Sequence, residues 1–250
     1  MIKYFRKIRQ KLLTENKFSK YLIYAIGEIV LVVIGILIAL QLNNWNEVRK
    51  IRIQELKTLK ELRSDLLQNI NDIDENITFL KVSKRANEII LHHIENNLPY
   101  NDSLDFHFAN LYPFITFSPN QTTFNNLKQN GINLITNDSL RTNISDLYGN
   151  RFNVYKVFEK TYLVEHYVNY IKPLFMSEFK TFKLYESFKP NDYNQFIKNK
   201  EYKQIMNYSV QISETFIKFQ LRFKKSINDL ILQIDNEIAE STHIELITKG

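Results

Sequence analysis

The residues able to do chemistry in this chain are few. There is no cysteine, which excludes a thiolate zinc site, a disulfide scaffold and a cysteine nucleophile. Five histidines occur, at His92, His93, His107, His166 and His243. Glu88, His92 and Glu95 stand four and three residues apart on one face of a predicted helix, a spacing that offers two or three ligands to a divalent metal. The same Glu-x-x-x-His spacing is common on solvated helices, and no other residues complete a shell, so these three are weak metal candidates and the expectation is no metal. His92 and His93 are neighbours, about 100° apart around a helix, and cannot chelate together. No G-x-S-x-G elbow, Ser-x-x-Lys context or glycine-rich phosphate loop occurs. Glu61 and Asp65, and Asp72, Asp74 and Glu75, are paired acids in charge-rich stretches that read as solvated helix surface. The chain therefore reads as a non-enzyme with no catalytic residue and no cofactor.

One further ionisable residue stands out by its surroundings. Glu28 is the only charge in Tyr21–Leu42, a run of Ile, Leu, Val, Ala and Gly that as a helix spans roughly 33 Å, enough to cross a bilayer core. The carboxylate costs about 2.5 to 3.5 kcal/mol at mid-membrane, while the ten Ile, Leu and Val residues between Ile29 and Leu40 contribute about 3 to 6 kcal/mol, so insertion is favoured. Gly35 and Ala39 follow Glu28 on nearly the same face, and small residues beside a membrane carboxyl suggest a packing face for another helix. The competing reading is a neutral or headgroup-directed Glu28 with no specific role. The run ends in Q-L-N-N-W-N, without the small-x-small pattern of a cleavage site, so the expectation is an uncleaved signal anchor.

Charge places the ends of this span. Residues 1–20 carry seven basic side chains against Glu15, whereas 26 basic and 25 acidic residues follow the run. The net charge of +6 thus sits in the tail, and a nucleic-acid reader, which needs a concentrated basic face, is not expected. Seven cations before the span against five in the twenty residues after it favour a cytoplasmic amino terminus and a translocated remainder, with Tyr21 and Tyr24 at one interface and Trp45 at the other. Ile2, Phe5, Ile8 and Leu12 would let the tail lie as an amphipathic helix on an anionic leaflet, or it is simply a disordered topogenic segment.

The residues of this first fifth also carry a resemblance. Ile2–Glu47, with F-R-K-I-R-Q-K-L-L, N-K-F-S-K-Y and A-I-G-E-I-V-L-V-V-I-G-I-L-I-A-L-Q-L-N-N-W-N-E, resembles a family of single-pass proteins of the Bacteroidota, domain of unknown function 6090. A looser similarity covers Thr122–Tyr148, in T-T-F-N-N-L-K-Q-N-G-I-N-L-I-T-N-D-S-L-R. The resemblance implies an inner-membrane protein of a two-membrane bacterium with a helical domain behind the anchor. It implies no activity, ligand or functional residue.

Behind the span the pattern is helical throughout. No Pro or Gly interrupts 41–97, and Leu62, Leu66, Ile70, Ile73, Ile77 and Leu80 form a seam at three-to-four spacing, with a stop expected at E-N-N-L-P-Y-N-D-S. Asp105–Pro119 is expected to be irregular, an aromatic loop over the core carrying Phe106, Phe108, Tyr112, Phe114 and Phe117. Thr122 or Thr123 is expected to cap a short helix ending at Gly131, and Asn137-Asp138 to cap a longer one whose inner face is Leu140, Ile144, Leu147, Tyr155, Phe158 and Tyr162. The stretch near Pro190-Asn191-Asp192 reads as a loop with room for a short helix. From Asn199 onward a stripe running from Tyr202 to Ile238 predicts a long central helix. The expected organisation is a basic tail (1–20), a transmembrane helix (21–42) and a periplasmic all-α bundle (43–250).

Two functions fit this organisation. The first is a membrane-anchored interaction or scaffold protein, docking a second copy or another membrane protein through Glu28, Gly35 and Ala39 and through the bundle, with the lipid bilayer as its other partner. The second is a periplasmic ligand-binding or sensory domain that signals through a partner membrane protein, its ligand unknown. A buried polar pocket would favour the second, and an exposed apolar patch the first.

Overall fold

A computed structural model describes residues 18–247 of the 250-residue chain. The amphipathic-tail expectation for residues 1–17 therefore lies outside the described residues. Among the described residues 82% are helical, and the all-α class expected from the sequence holds. It divides into two compact units, one ending at Gln54 and the other beginning at Glu55.

Helix α1 is hydrogen-bonded from Phe18 to Glu95, as the lack of Pro and Gly after Gln41 leads one to expect. Its apolar part in the first unit has its large side chains exposed, and among the described residues this is the one helix long and apolar enough to cross a membrane. In the second unit the predicted seam is buried at all six positions, Leu62 through Leu80. The helix ends where expected, with Asn97 in the left-handed region at φ 48° ahead of Pro99.

The rest of the second unit packs on that seam. Helix α2 (Leu104–Ala109) occupies the start of what reads in the sequence as an irregular segment, a correction: buried Leu104 and Phe108 fold those six residues onto the core. The remainder to Gln121 is irregular, and Ser83 and Asn87 hold it by donating to Leu111 O at 3.0 and 2.8 Å. Helix α3 (Thr122–Asn130) is not capped by its own threonines. Asp65 Oδ2 of α1 instead accepts from Thr123 N at 3.0 Å, Asp65 Oδ1 accepts from Asn120 Nδ2 at 3.0 Å, and Asn120 Oδ1 accepts from Thr122 N at 3.0 Å. Asp65 is thus a buried cap reaching across from another helix, not solvated surface. Replacing Asp65 with Ala orphans the buried Thr123 N–H and is expected to cost about 1 to 3 kcal/mol of stability in a denaturant melt of the full chain, with Asp65→Asn losing less because one acceptor oxygen remains.

After a 3₁₀ turn (Ile132–Leu134), Asn137 caps α4 (Asp138–Asp146), its side chain accepting from Leu140 N at 3.1 Å as expected. The helical path then runs through a π turn (Leu147–Arg151), α5 (Phe152–Glu159), two further π turns (Lys160–Val164 and Tyr167–Ile171) and α6 (Lys172–Glu178). A hairpin the sequence did not suggest follows, β1 (Phe179–Lys183) antiparallel to β2 (Ser187–Pro190), with Phe182 opposite Phe188 and a register shift between Phe179 and Thr181. Helix α7 (Tyr193–Lys198) is the short helix allowed for after Pro190. Helix α8 (Lys200–Ile247) starts behind Asn199, whose Oδ1 accepts from Glu201 N at 2.9 Å. Its predicted stripe faces the core, with Ile205, Ile212, Phe216, Phe223, Ile227, Leu230 and Ile234 all buried.

Candidate functional site

The widened turns have a cause in residue spacing. Tyr155, Glu159, Leu163, Tyr167, Ile171 and Phe175 recur every fourth residue and all face inward, Tyr167 partly. In a regular helix four residues overshoot one turn by about 40°, so five such steps would carry Phe175 to the opposite side. The π turns at 160–164 and 167–171 take up that overshoot. This also corrects the expected inner face. Read at α spacing, Phe158 and Tyr162 continue the stripe, yet Tyr162 is 38% exposed and Phe158 only half-buried, while Glu159 and Leu163 take the inward positions. Buried Glu159 accepts from Phe117 N at 2.9 Å, and its removal from water raises its carboxyl above the usual range.

His166 sits between the two π turns and is 5% exposed. Its Nε2 is 2.8 Å from Ser209 Oγ on α8, and that hydroxyl itself donates to Ile205 O at 2.9 Å. Ser209 has therefore spent its proton, so Nε2–H is the donor of the pair and Nδ1 carries a lone pair. Among the described residues no partner meets Nδ1. Burial lowers the imidazole pKa to about 4, so the ring is neutral at pH 7.

In front of His166 lies a groove of about 480 Å³ between this stretch and α8, lined by Thr161, Glu165, Asn169, Tyr170 and, from α8, Glu201, Gln204, Ile205 and Tyr208. Ser209, the partner of Nε2, is not part of the lining, and Nδ1 is itself closed off from solvent. The Tyr170 and Tyr208 rings flank the imidazole with centroids 5.7 and 5.3 Å away, and both are about half exposed. The volume is that of a small-molecule site.

The residues singled out from sequence lie elsewhere. Gly35 has open space around the position a Cβ would take, Glu28 is half-buried, and Ala39 and Trp45 are exposed on the apolar part of α1. The side chains of Tyr21 and Tyr24 lie outside the described residues, as does that of His243. Glu88 is paired with Lys84 at 3.5 Å and Arg85 at 3.7 Å, Glu95 with Lys203 at 3.2 Å, and His92 Nδ1 lies 3.1 Å from Asn96 Nδ2. The three weak metal candidates thus each have partners of their own, and no group of three potential ligands converges among the described residues. In the sequence His166 is only one of five histidines, and the repeat of four around it is the signal that sets it apart.

A protein-family model described as a family of unknown function (DUF6090) matches residues 28–194. The matched part includes Glu28, the α1 seam and the Thr161–Tyr170 wall of the groove, and stops before α8. No curated protein and no solved structure matches the chain.

Proposed function

We propose, for a chain that belongs to the DUF6090 family of unknown function, that it is a membrane-anchored helical domain whose groove at His166 binds a small ligand. The observation that carries this reading is the groove of about 480 Å³ itself, walled by the half-exposed rings of Tyr170 and Tyr208 and edged by polar side chains. A binding role fits better than catalysis. The Ser209–His166 pair resembles a nucleophile and its base, but Ser209 is buried, its proton is committed to Ile205 O, and no third group orients Nδ1.

The apolar stretch of α1 acts in this reading as an uncleaved signal anchor in the inner membrane of a two-membrane bacterium. The basic excess in residues 1–20 favours a cytoplasmic amino terminus and a periplasmic domain. Substituting Val33 and Leu37 with Lys adds about 2.5 to 3.5 kcal/mol of insertion cost at each position. The double variant is expected to leave the carbonate-resistant membrane fraction that holds the parent chain. Protease added to spheroplasts is expected to digest the part beyond Trp45, and a protected domain would overturn the orientation. Native mass spectrometry of the full chain in detergent tests the groove. A retained small-molecule mass that Thr161→Trp abolishes supports ligand binding, and an empty parent chain indistinguishable from that variant counts against it.

A second reading, the docking scaffold, is favoured by Val154, Val157, Val164 and Val168, which are exposed on the outer side of the same helical stretch, and by the space around Gly35. Here a second copy or another membrane protein covers these residues. Gly35→Leu or Glu28→Gln is then expected to reduce crosslinked oligomer or co-purifying partner, and unchanged recovery of both would remove the reading.

A further inference from the structure

We infer that α1 pairs with α1 of a second copy of this chain, side by side and pointing the same way, through the face that carries Ile34, Leu37, Gln41, Asn44, Val48 and Ile51. This rests on the anchor reading above and is independent of the groove. It uses the side of the helix away from Glu28, Gly35 and Ala39, which lie about 140° to 180° around from Asn44.

The spacing of the six comes first. They alternate three and four residues apart, which holds them in one stripe of an α-helix and is the repeat by which two helices coil together. All six are exposed. As far as Leu42 lipid tails can cover the stripe. Beyond it they cannot: residues 43–54 are roughly 18 Å of helix past the span, and there Val48 is 64% and Ile51 47% exposed. Apolar side chains standing in water on a bare helix gain free energy when another surface covers them. The next two positions of the repeat, Glu55 and Thr58, belong to the second unit and are buried, so the bare seam ends at Ile51.

The case for a second copy is self-complementarity. A twofold interface sets each group against its own kind or against a reciprocal partner. Gln41 and Asn44 carry amides that both donate and accept, so each can satisfy its counterpart, and such polar pairs fix the register of two helices. Val48 and Ile51 meet apolar equivalents. Glu47 and Arg52 stand on opposite edges of these two, five residues apart, which is the offset at which edge residues of parallel helices meet across the seam. Glu47 of each copy thus faces Arg52 of the other, twice over. Antiparallel helices bring like edges together and lose both pairs. Glu47 also meets Lys50 of its own helix at 3.0 Å, but that exposed pair holds it only weakly. Ile53, on the far side, is left uncovered by this pairing.

The chain has no cysteine, so single cysteines report on this contact without background. Asn44→Cys, Val48→Cys and Ile51→Cys on the seam are compared with Asn46→Cys, Lys50→Cys and Ile53→Cys off it. Each full chain is oxidised with copper phenanthroline in the carbonate-resistant membrane fraction. Disulfide-linked dimer is expected at the first three positions at least fivefold above the other three. Added to Val48→Cys, either Glu47→Arg or Arg52→Glu is expected to lower the yield threefold or more, and the two together to restore it. Equal yields at all six positions, or linkage at Gly35→Cys and Ala39→Cys with none on the seam, overturn the inference and leave the anchor standing. So does a membrane-held chain that gives no linked product. A linked product of another mass overturns the second copy as the cover, and yields unmoved by the charge reversals overturn the pairing of Glu47 with Arg52. A chain recovered outside the membrane fraction overturns the anchor reading and the inference with it.

Discussion

Replacing Tyr155 with Ala is expected to lower the stability of the helical domain by about 3 to 5 kcal/mol, the range for deleting a fully buried aromatic ring. Tyr155 has no exposed surface, and its ring centroid lies 4.5 Å from that of Phe117, 5.0 Å from Phe223, 5.4 Å from Phe219 and 5.8 Å from Phe216. It therefore joins three segments, the irregular stretch before α3, the π-turned helix and α8, in one aromatic cluster. Its hydroxyl accepts from Gln220 Nε2 at 2.6 Å, and Gln220 is itself fully buried with Oε1 unpartnered. Tyr155→Phe keeps the ring and strands the amide, at about 1 to 3 kcal/mol. Adding Gln220→Leu to Tyr155→Phe removes the stranded group and is expected to recover most of that loss. Urea melts of the full chain in detergent measure all three. A Tyr155→Ala cost below 1 kcal/mol would mean that the cluster is not the core.

The second large effect is on acid stability and belongs to His166. Its folded pKa lies at about 4 against 6.5 when unfolded, with burial as the cause. Below pH 6.5 the unfolded chain takes up a proton that the native ring refuses until about pH 4. The stability present above pH 6.5 is therefore lost as pH falls towards 4, by about 3 kcal/mol. Glu159 and Asp72 act with the opposite sign, because burial raises their carboxyl pKa values and their native forms protonate before the unfolded ones. The measurement is accordingly a difference, the stability of the parent chain minus that of His166→Gln across pH 4 to 7. It is expected to shrink by about 3 kcal/mol from neutral to pH 4. Parallel pH courses would show that the imidazole is not held neutral by burial.

What the sequence disclosed is what a helix encodes locally. The Leu62–Leu80 seam, the α8 stripe, the Asn137 and Asn199 caps and the stop at Asn97 each follow from residues within a turn or two of one another. The features it hid depend on distant partners or on irregular geometry. Asp65 looked like surface because the Thr123 N–H it caps is 58 residues away. The hairpin escaped notice because F-K-T-F-K has no strict alternation, and its turn places Tyr185, not a glycine, at φ 63°. The groove needs Glu165 and His166 to face Glu201 and Tyr208 across two separate helices, a meeting that no local pattern announces. Only the fourfold repeat from Tyr155 to Phe175 hinted that the helix there departs from 3.6 residues per turn.

The swollen turns around His166 also bear on how such a cavity changes over generations. A π turn lodges one residue more than an α turn without swinging what lies before and after it off the core. At 160–164 and 167–171 the polypeptide can thus gain or lose a single codon while Tyr155 and Phe175 keep their places, and only the side chains between them are dealt out anew. A change of length can in this way alter the lining of the groove, a route that a groove mounted on regular helix does not offer.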